Sequence, residues 1–376
     1  MPWSTRDTMS LREEFVSLAL QDGANRRELC RRFGISAQTG YKWIARYKQL
    51  GSSGLSDLSR RPQSSPAATA QALQQAVVAL RLQHPAWGGR KLSERLHTLG
   101  HPRLAPSTVN SILHRHGLIS SAASAAATPW QRFERERPNA LWQIDFKGHF
   151  PLASGRCHPL TLLDDHSRFN LAIRACPGET SQAVEQHLVD VFRRYGMPEQ
   201  INADNGAPWG VPSQPGQLSG LAVWLIRCGV RVSFSRPYHP QTNGKDERFH
   251  RTLKAEVLQG RVFSDLGSAQ QAFDLWRDVY NQQRPHQGIA MQTPMSRYQA
   301  SPRCYPEVLP EIEYGPGDTV MTVKWLGELR FRGRRYRVSN ALRGLPVAVR
   351  PHGQTDGLFN VFFMHHWLQQ IDLRAH

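Results

Sequence analysis

Residues 141–146 read LWQIDF, an apolar run of β-forming residues that carries the carboxylate of Asp145 near its end. A carboxylate inside an apolar strand is costly unless a polar partner or a metal ion compensates its charge. Strand-like and helical runs alternate after it, with strands predicted at 160–163, 168–173, 200–203 and 230–235 and helices at about 180–195, 217–228, 244–258 and 266–282. Strands that alternate with helices indicate an α/β domain with a partly parallel sheet.

Two later carboxylates complete a suggestive order along the chain. Asp204 follows the strand predicted at 200–203, and α/β sheets bind ligands beyond the carboxyl ends of their strands. Glu247 falls in the first turn of the helix predicted from residue 244, where an acidic side chain also complements the helix dipole. Taken singly, Asp204 indicates a turn and Glu247 a favourable helix start. Their order with Asp145 is a much stronger indication of one acidic site.

The net charge predicts a polyanionic partner. The chain has 376 residues, with 47 Lys+Arg against 30 Asp+Glu and a formal charge of +17. Residues 1–118 hold 17 basic and 7 acidic side chains and are therefore the most basic part. Nucleic acid is the commonest polyanion, because Lys and Arg that neutralise phosphates release counterions.

Several classes of protein are disfavoured by the same composition. The longest strongly apolar run, 221–226, is far shorter than the roughly 20 residues of a membrane-spanning helix. Residues 1–14 lack the apolar region of a secretory signal. Five cysteines are scattered singly without C-x-x-C, which argues against a disulfide framework and a zinc ribbon. We expect a protein of a reducing cytoplasm with no membrane partner.

Residues 11–50 are predicted to form three short helices in a helix-turn-helix arrangement. Asn25 and Ser36 can cap the second and third helices, and Gly34 interrupts the chain between them. The expected small core consists of Leu29, Phe33, Ile35 and Ile44.

The third of these helices presents a polar face. Gln38, Lys42 and Arg46 recur at i, i+4 and i+8, so they share one side that would enter the major groove of DNA. The alternative is a basic three-helix bundle that binds protein.

A second helical unit repeats this plan without close sequence identity. Helices are predicted at 70–83 and 89–99, and Ser107 can cap a third that runs to about residue 116. The stretch 87–91, WGGRK, indicates either a second module that contacts DNA or a capped helix start.

From about residue 317 onward, five or six short apolar runs with Gly and Pro turns predict a small β-barrel. Within it, 329–338 reads LRFRGRRYRV, a predicted hairpin with residues 333 and 334 as a two-residue type II′ turn. That register places four apolar side chains on one face, Leu329, Phe331, Tyr336 and Val338, and four arginines on the other, Arg330, Arg332, Arg335 and Arg337. Directly opposed like charges are destabilising, so the four arginines indicate an anionic partner such as a DNA backbone. The alternative is a solvated strand face.

The blocks 142–148 (WQIDFKG), 204–206 (DNG) and 239–249 (HPQTNGKDERF) resemble the integrase-type DDE transposases of bacterial insertion sequences, whose catalytic core is shared with retroviral integrases. The resemblance is strong over 138–300, and Asn281, 284–286 (RPH) and 293–294 (TP) resemble the end of that core.

The resemblance implies an RNase H-like fold and assigns the acidic triad to Asp145, Asp204 and Glu247, with Lys254 as a DNA contact. Asp204 and Glu247 are 43 positions apart, which is more than is usual for the family. The resemblance further implies two Mg²⁺ ions when DNA is bound, and Mn²⁺ can substitute for them. Mg²⁺ takes oxygen ligands, and two such ions can stabilise the attacking and leaving oxygens of a phosphoryl displacement.

The implied protein is multi-domain and cytoplasmic in a bacterium, associated with the nucleoid. Its partners would be double-stranded DNA, as element ends and target, and further copies of itself. The predicted parts are a helix-turn-helix unit at 1–51, a linker at 52–68, a second helix-turn-helix-like unit at 69–118, a linker at 119–137, the α/β RNase H-like core at 138–300 and the small β-barrel at 301–376.

The implied activity is hydrolysis at the element ends followed by 3′-hydroxyl strand transfer into target DNA. One alternative is a metal-dependent nuclease without strand transfer. Another is a catalytically dead helix-turn-helix regulator, against which the presence of all three carboxylates and Lys254 speaks.

Overall fold

The computed structural model describes residues 7–58, 68–119, 134–211, 217–234, 244–353 and 355–374. It divides into two compact units, Met1–Thr69 and Ala70–His376. Within the described residues, no helix is both long enough and apolar enough to cross a bilayer.

The first unit is helical, with α1 (Thr8–Ala19), α2 (Arg26–Arg32) and α3 (Ala37–Leu50), followed by a 3₁₀ turn at Gly51–Leu55. The predicted caps are confirmed, because Asn25 accepts the Glu28 N–H and Ser36 accepts the Thr39 N–H. Of the four predicted core residues only Ile44 is fully buried; the other three pack against a core that also contains Phe15, Val16, Ala19, Cys30, Trp43 and Leu55. Large side chains of α1 and α3 occupy the centre instead. Because Leu55 belongs to this core, the helical unit extends beyond the predicted boundary at residue 51.

The second unit opens with α4 (Gln71–Gln83), α5 (Gly89–Thr98) and α6 (Pro106–Arg115). The prediction that Ser107 caps the third helix is wrong. Ala105 is the N-cap, no side chain caps the helix, and Pro106 occupies its first turn. Proline suits that position because its fixed φ matches the helix and its missing N–H is not needed there.

The α/β core contains β1 (Trp142–Phe146), β2 (Phe150–Pro151), β3 (Arg156–Asp164), β4 (Asn170–Cys176), β5 (Gln200–Ala203) and β6 (Arg231–Phe234). The strand order is β2-β3-β1-β5-β6, with β4 also paired to β3. The first strands pair antiparallel, whereas β1, β5 and β6 are parallel, which confirms the partly parallel sheet.

The core helices are α7 (Ser181–Tyr195), α8 (Gly220–Arg227), α9 (Gly244–Leu253), α10 (Leu266–Gln282) and α11 (Pro294–Arg297). A single π-helical turn, Lys254–Leu258, continues α9. One hydrophobic cluster joins the sheet to α7 and α8, and another joins it to α9 and α10.

The C-terminal strands are β7 (Thr319–Thr322), β8 (Glu328–Phe331), β9 (Arg334–Arg337), β10 (Pro346–Pro351), β11 (Leu358–Phe363) and β12 (His366–Asp372). The predicted small β-barrel is wrong. Where the structure describes this region, the strands form an open four-stranded sheet, β12-β11-β10-β7, and a separate β8-β9 hairpin. The sheet buries its apolar face against α8, whose residues Ala222, Val223 and Ile226 join its core, so closure is not needed to cover that face.

The predicted hairpin register is wrong by one turn residue. The two-residue turn is Arg332-Gly333, with φ of 45° and 81°, as a type I′ turn requires at both positions. Arg330 therefore faces Arg335, but Arg337 faces Glu328. The four-arginine face is reduced to three arginines with one glutamate.

Arg332 leaves that face altogether. It lies at the turn, with its guanidinium 5.0 Å from the centre of the Phe359 ring. Because the turn takes Arg332 out of the strand, the hairpin's charged face holds only one directly opposed pair of arginines.

Candidate active site

Asp145 lies in β1, between β3 and β5, with its side chain 26% exposed. Its main-chain oxygen accepts a hydrogen bond from the Thr161 hydroxyl at 3.0 Å. Burial and then the charge of Asp204 raise the pKa of Asp145 to about 7. The carboxylate predicted from the apolar strand thus lies in a setting that disfavours its ionised form.

Asp204 directly follows β5. The register pairs Gln143 with Asn202 on parallel strands, and Asp145 and Asp204 are each two residues further on, so both lie at the same edge of the sheet. Asp204 Oδ1 accepts the Gly206 N–H at 3.0 Å, which is the turn expected of DNG. Burial, followed by the charge of Glu179, raises the pKa of Asp204. Two neighbouring carboxylates with oxygen donors form a pair that suits a hard divalent cation.

Helix α9 does not direct Glu247 into this pair. Glu247 is exposed, whereas its neighbour Asp246 is 2% exposed. Asp246 Oδ1 finds no hydrogen-bond partner among the described residues. Burial and then the charge of Asp145 raise the pKa of Asp246 well above its usual value. Across the described residues, no three His, Cys, Asp or Glu side chains are close enough to hold a metal ion.

His250, one turn further along α9, contacts the floor of the site. Its Nε2 is 2.8 Å from Thr161 Oγ1, and its Nδ1 is 3.9 Å from Asp145 Oδ2. The Thr161 hydroxyl proton is donated to the Asp145 main chain, so His250 Nε2–H is the donor to Thr161. Burial and the charge of Lys147 lower the pKa of His250 to about 4, which keeps the imidazole neutral.

Two lysines lie close to one another near His250. Lys254 is exposed at the start of the π-helical turn, and its charge, after burial, lowers the pKa of Lys147. Lys147 was missing from the predicted site. The available signal was its position two residues after Asp145, directly beyond the end of β1.

The predicted DNA-binding face of α3 is partly available. Gln38 and Lys42 are exposed. Arg46 is half-buried and donates to the Ser56 carbonyl oxygen at 2.6 Å, with its guanidinium 4.8 Å from the centre of the Trp43 ring. The structure therefore leaves Gln38 and Lys42 on the surface and gives Arg46 contacts within its own unit.

The stretch 87–91 also contains both buried and exposed side chains. Trp87 is buried and stacks on His84 with ring centres 3.9 Å apart. Burial and then the charge of Arg284 lower the pKa of Lys91 to about 7, so Lys91 faces the α/β core while Arg90 is exposed. Three of the four predicted hairpin arginines, Arg330, Arg335 and Arg337, are exposed on one strand face.

Family models match along most of the chain. Two integrase core domain models match residues 135–240 and 228–294. A helix-turn-helix domain model matches 11–63, and a homeodomain-like domain model matches 39–113. The C-terminal domain of IS481 family transposases matches 318–376.

Related sequences come from insertion elements and retroviruses. A 39.2 kDa protein of insertion element IS476 from Xanthomonas euvesicatoria is 27% identical over 244 residues, 62% of this chain and 66% of that protein. The Gag-Pol polyprotein of avian reticuloendotheliosis virus is 30% identical over 207 residues, 48% of this chain but 17% of the polyprotein. The chain thus spans 11–17% of the length of the viral polyproteins it matches.

Among solved structures, the HTLV-2 integrase catalytic core domain in complex with magnesium is 16% identical, with a TM-score of 0.34 over 44% of this chain and 99% of that one. The helix-turn-helix units, the mixed α/β sheet and the matched C-terminal domain follow one another in a single chain. By this domain order and these matches, the chain contains an integrase core domain and is similar to the integrase-type transposases of insertion sequences.

Proposed function

We propose that the protein is a DNA transposase that binds the terminal inverted repeats of its element, hydrolyses DNA at the element ends and transfers the freed 3′-hydroxyl into target DNA. The observation that carries the proposal is the pairing of Asp145 and Asp204 at one edge of parallel strands, where burial and mutual charge raise the pKa of Asp145 to about 7. A divalent cation that binds between the oxygens of such a pair favours the ionised form of both carboxylates.

Asp145, Asp204 and Glu247 would hold two Mg²⁺ ions, or Mn²⁺, when DNA is bound. The ions would supply charge neutralisation for the attacking and leaving oxygens of an in-line phosphoryl displacement. Glu247, exposed in the structure, would turn toward the pair from the first turn of α9.

The cationic side chains beside the site would hold the DNA. Lys254 and Lys147 neighbour one another on the α9 side of Asp145, where they would contact phosphates next to the scissile one. His250 stays neutral and, through its hydrogen bond to Thr161, links α9 to β3 beside Asp145. Exposed Gln38 and Lys42 of α3 would contact the element ends, and synapsis of two ends would bring at least two copies together.

The test compares single isosteric substitutions. Asp145→Asn, Asp204→Asn and Glu247→Gln should each abolish cleavage and joining, while affinity for the element ends stays within about twofold of wild type. Asp246→Asn is the matched control on the same helix turn. If Asp246→Asn abolishes joining and Glu247→Gln does not, the third ligand is Asp246 and the triad is wrong.

Joining assays with a pre-cut DNA end separate the alternatives. A nuclease would cut the element end without joining the pre-cut one. A regulator without catalysis would bind the ends and neither cut nor join in Mg²⁺ or Mn²⁺.

A further inference from the structure

One buried carboxylate, Asp165, connects the strand that carries Asp145 with the helix that carries Glu247. Asp165 is 2% exposed and lies in the turn between β3 and β4. Its Oδ1 accepts a hydrogen bond from Gln143 Nε2 at 3.0 Å and forms an ion pair with Lys245 Nζ. Its Oδ2 accepts the Arg135 N–H at 2.9 Å.

The two residues whose side chains contact Asp165 Oδ1 each precede a predicted catalytic carboxylate by two positions in the sequence. Gln143 precedes Asp145 by two residues in β1, so their side chains share one face of the strand. Lys245 precedes Glu247 by two residues in the first turn of α9. The main chain of Asp165 is itself fixed, because its N–H donates to the Leu141 carbonyl oxygen at 2.9 Å.

The position of Lys245 has an electrostatic consequence. A cation in the first turn of a helix opposes the helix dipole, so Lys245 is unfavourable there unless an anion compensates it. Asp165 is the partner that the structure provides, and the Lys245 side chain is only 20% exposed. Loss of the Asp165 charge would release Lys245 toward solvent and free the first turn of α9 to rotate or fray.

We propose that Asp165 is a positioning residue that, through Lys245, anchors the first turn of α9 next to β1 and so holds the helix that carries Glu247 beside Asp145. This inference rests on the proposed transposase function. Asp165 contacts neither DNA nor metal in this scheme. It acts on the reaction only through Lys245 and Gln143.

The experiment uses the full chain and a pre-cut element end. Asp165→Asn and Lys245→Met each remove one charge and keep the side chain's size. Each is expected to slow joining about 10–100-fold, as loss of a group that orients a metal ligand does, with affinity for the element ends unchanged. Lys245→Arg keeps the charge and should retain most of the rate.

The double variant tests whether Asp165 acts through Lys245. Because both substitutions break one contact, Asp165→Asn/Lys245→Met should be no slower than the slower single variant. Independent, multiplying losses would overturn the proposal.

A control variant separates positioning from stability. Asp318→Asn breaks the ion pair with Arg350, 2.6 Å long, in the C-terminal sheet. Joining by Asp318→Asn should stay near the wild-type rate when compared at equal distance below each variant's Tm. If Asp165→Asn loses no more activity than Asp318→Asn under that condition, Asp165 is structural only.

Hydrogen exchange provides a readout that does not depend on catalysis. Asp165→Asn should speed amide exchange across α9, at residues 247–253, and leave α10 unchanged. If the wild-type protein does not join DNA, the proposed function fails, but this exchange difference still decides whether Asp165 holds α9. Unchanged exchange in α9 would refute the positioning role.

Discussion

Removing one partner of the buried ion pair between Glu256 and Arg284 should destabilise the second unit strongly. Glu256 lies in the π-helical turn that continues α9, and both side chains are 8% exposed. Its Oε1 accepts from Arg284 Nε at 3.1 Å and its Oε2 accepts from Trp276 Nε1 at 2.8 Å. Lys91 of α5, whose pKa is lowered to about 7, also lies near this carboxylate.

The perturbation is Glu256→Gln, which keeps the size of the side chain and removes its charge. Arg284 would then be buried beside Lys91 without its anion. Removing one partner of a buried ion pair costs about 3–5 kcal/mol, because the remaining charge is desolvated and uncompensated. For a unit of about 300 residues, such a loss lowers Tm by roughly 5–8 °C.

The matched control is the exposed pair of Arg193 and Glu307, whose side chains are 54% and 62% exposed. It has comparable geometry, with contacts of 2.9 and 2.7 Å, but water already solvates both charges. Glu307→Gln should leave Tm unchanged within error.

Calorimetry of the two variants at 0.15 M and 1 M salt checks the reasoning. Salt screens exposed charges far more than buried ones, so the Glu256→Gln shift should persist at 1 M. A shift below about 2 °C, or equal shifts for the two variants, would refute the claim that burial makes this pair decisive.

Three further outcomes are expected. Because the pKa of Asp145 is raised to about 7, protons compete with metal below that pH; the Mn²⁺ concentration for half-maximal joining should rise about tenfold per pH unit below 7 and level off above it, as titrations from pH 6 to 8 would show. In a fragment of residues 1–118, Gln38→Ala should cost about 1–3 kcal/mol at one base pair, whereas Lys42→Ala should weaken binding to all sequences and lower the salt slope by about one, both measurable by fluorescence anisotropy. Arg335→Glu relieves the opposed pair with Arg330, so it should raise Tm slightly while weakening DNA binding, and equal affinity at all salt concentrations would remove this face from the interface.

The pattern of residues along the chain determined the elements and their class. Residues 200–203 and 266–282 were predicted as a strand and a helix with the bounds found in the structure. Their period and their caps are local properties, so they can be read from a short window of sequence. The meeting of Asp145 and Asp204 followed from one general rule, that parallel strands present their carboxyl ends at the same edge of a sheet.

Side-chain direction on α9 was decided by tertiary contacts. Helical periodicity says that Asp246 and Glu247 point about 100° apart, but it does not say which one faces the sheet. The ion pair of Lys245 with Asp165, 80 residues away in the chain, contributes to that choice. In the structure it accompanies a buried Asp246 and an exposed Glu247.

The C-terminal region shows the same limit at the level of pairing. The run 329–338 indicated a hairpin, but alternation around a glycine fits two registers that differ by one turn residue. The selected register buries Leu329 and Phe331 against β11 and lets Gly333 take a positive φ at the second turn position. Packing against α8 likewise left the sheet open, because an apolar face that is covered by a helix needs no barrel. Period and composition act over neighbouring residues, whereas register, rotation and closure depend on partners that only the folded chain brings together.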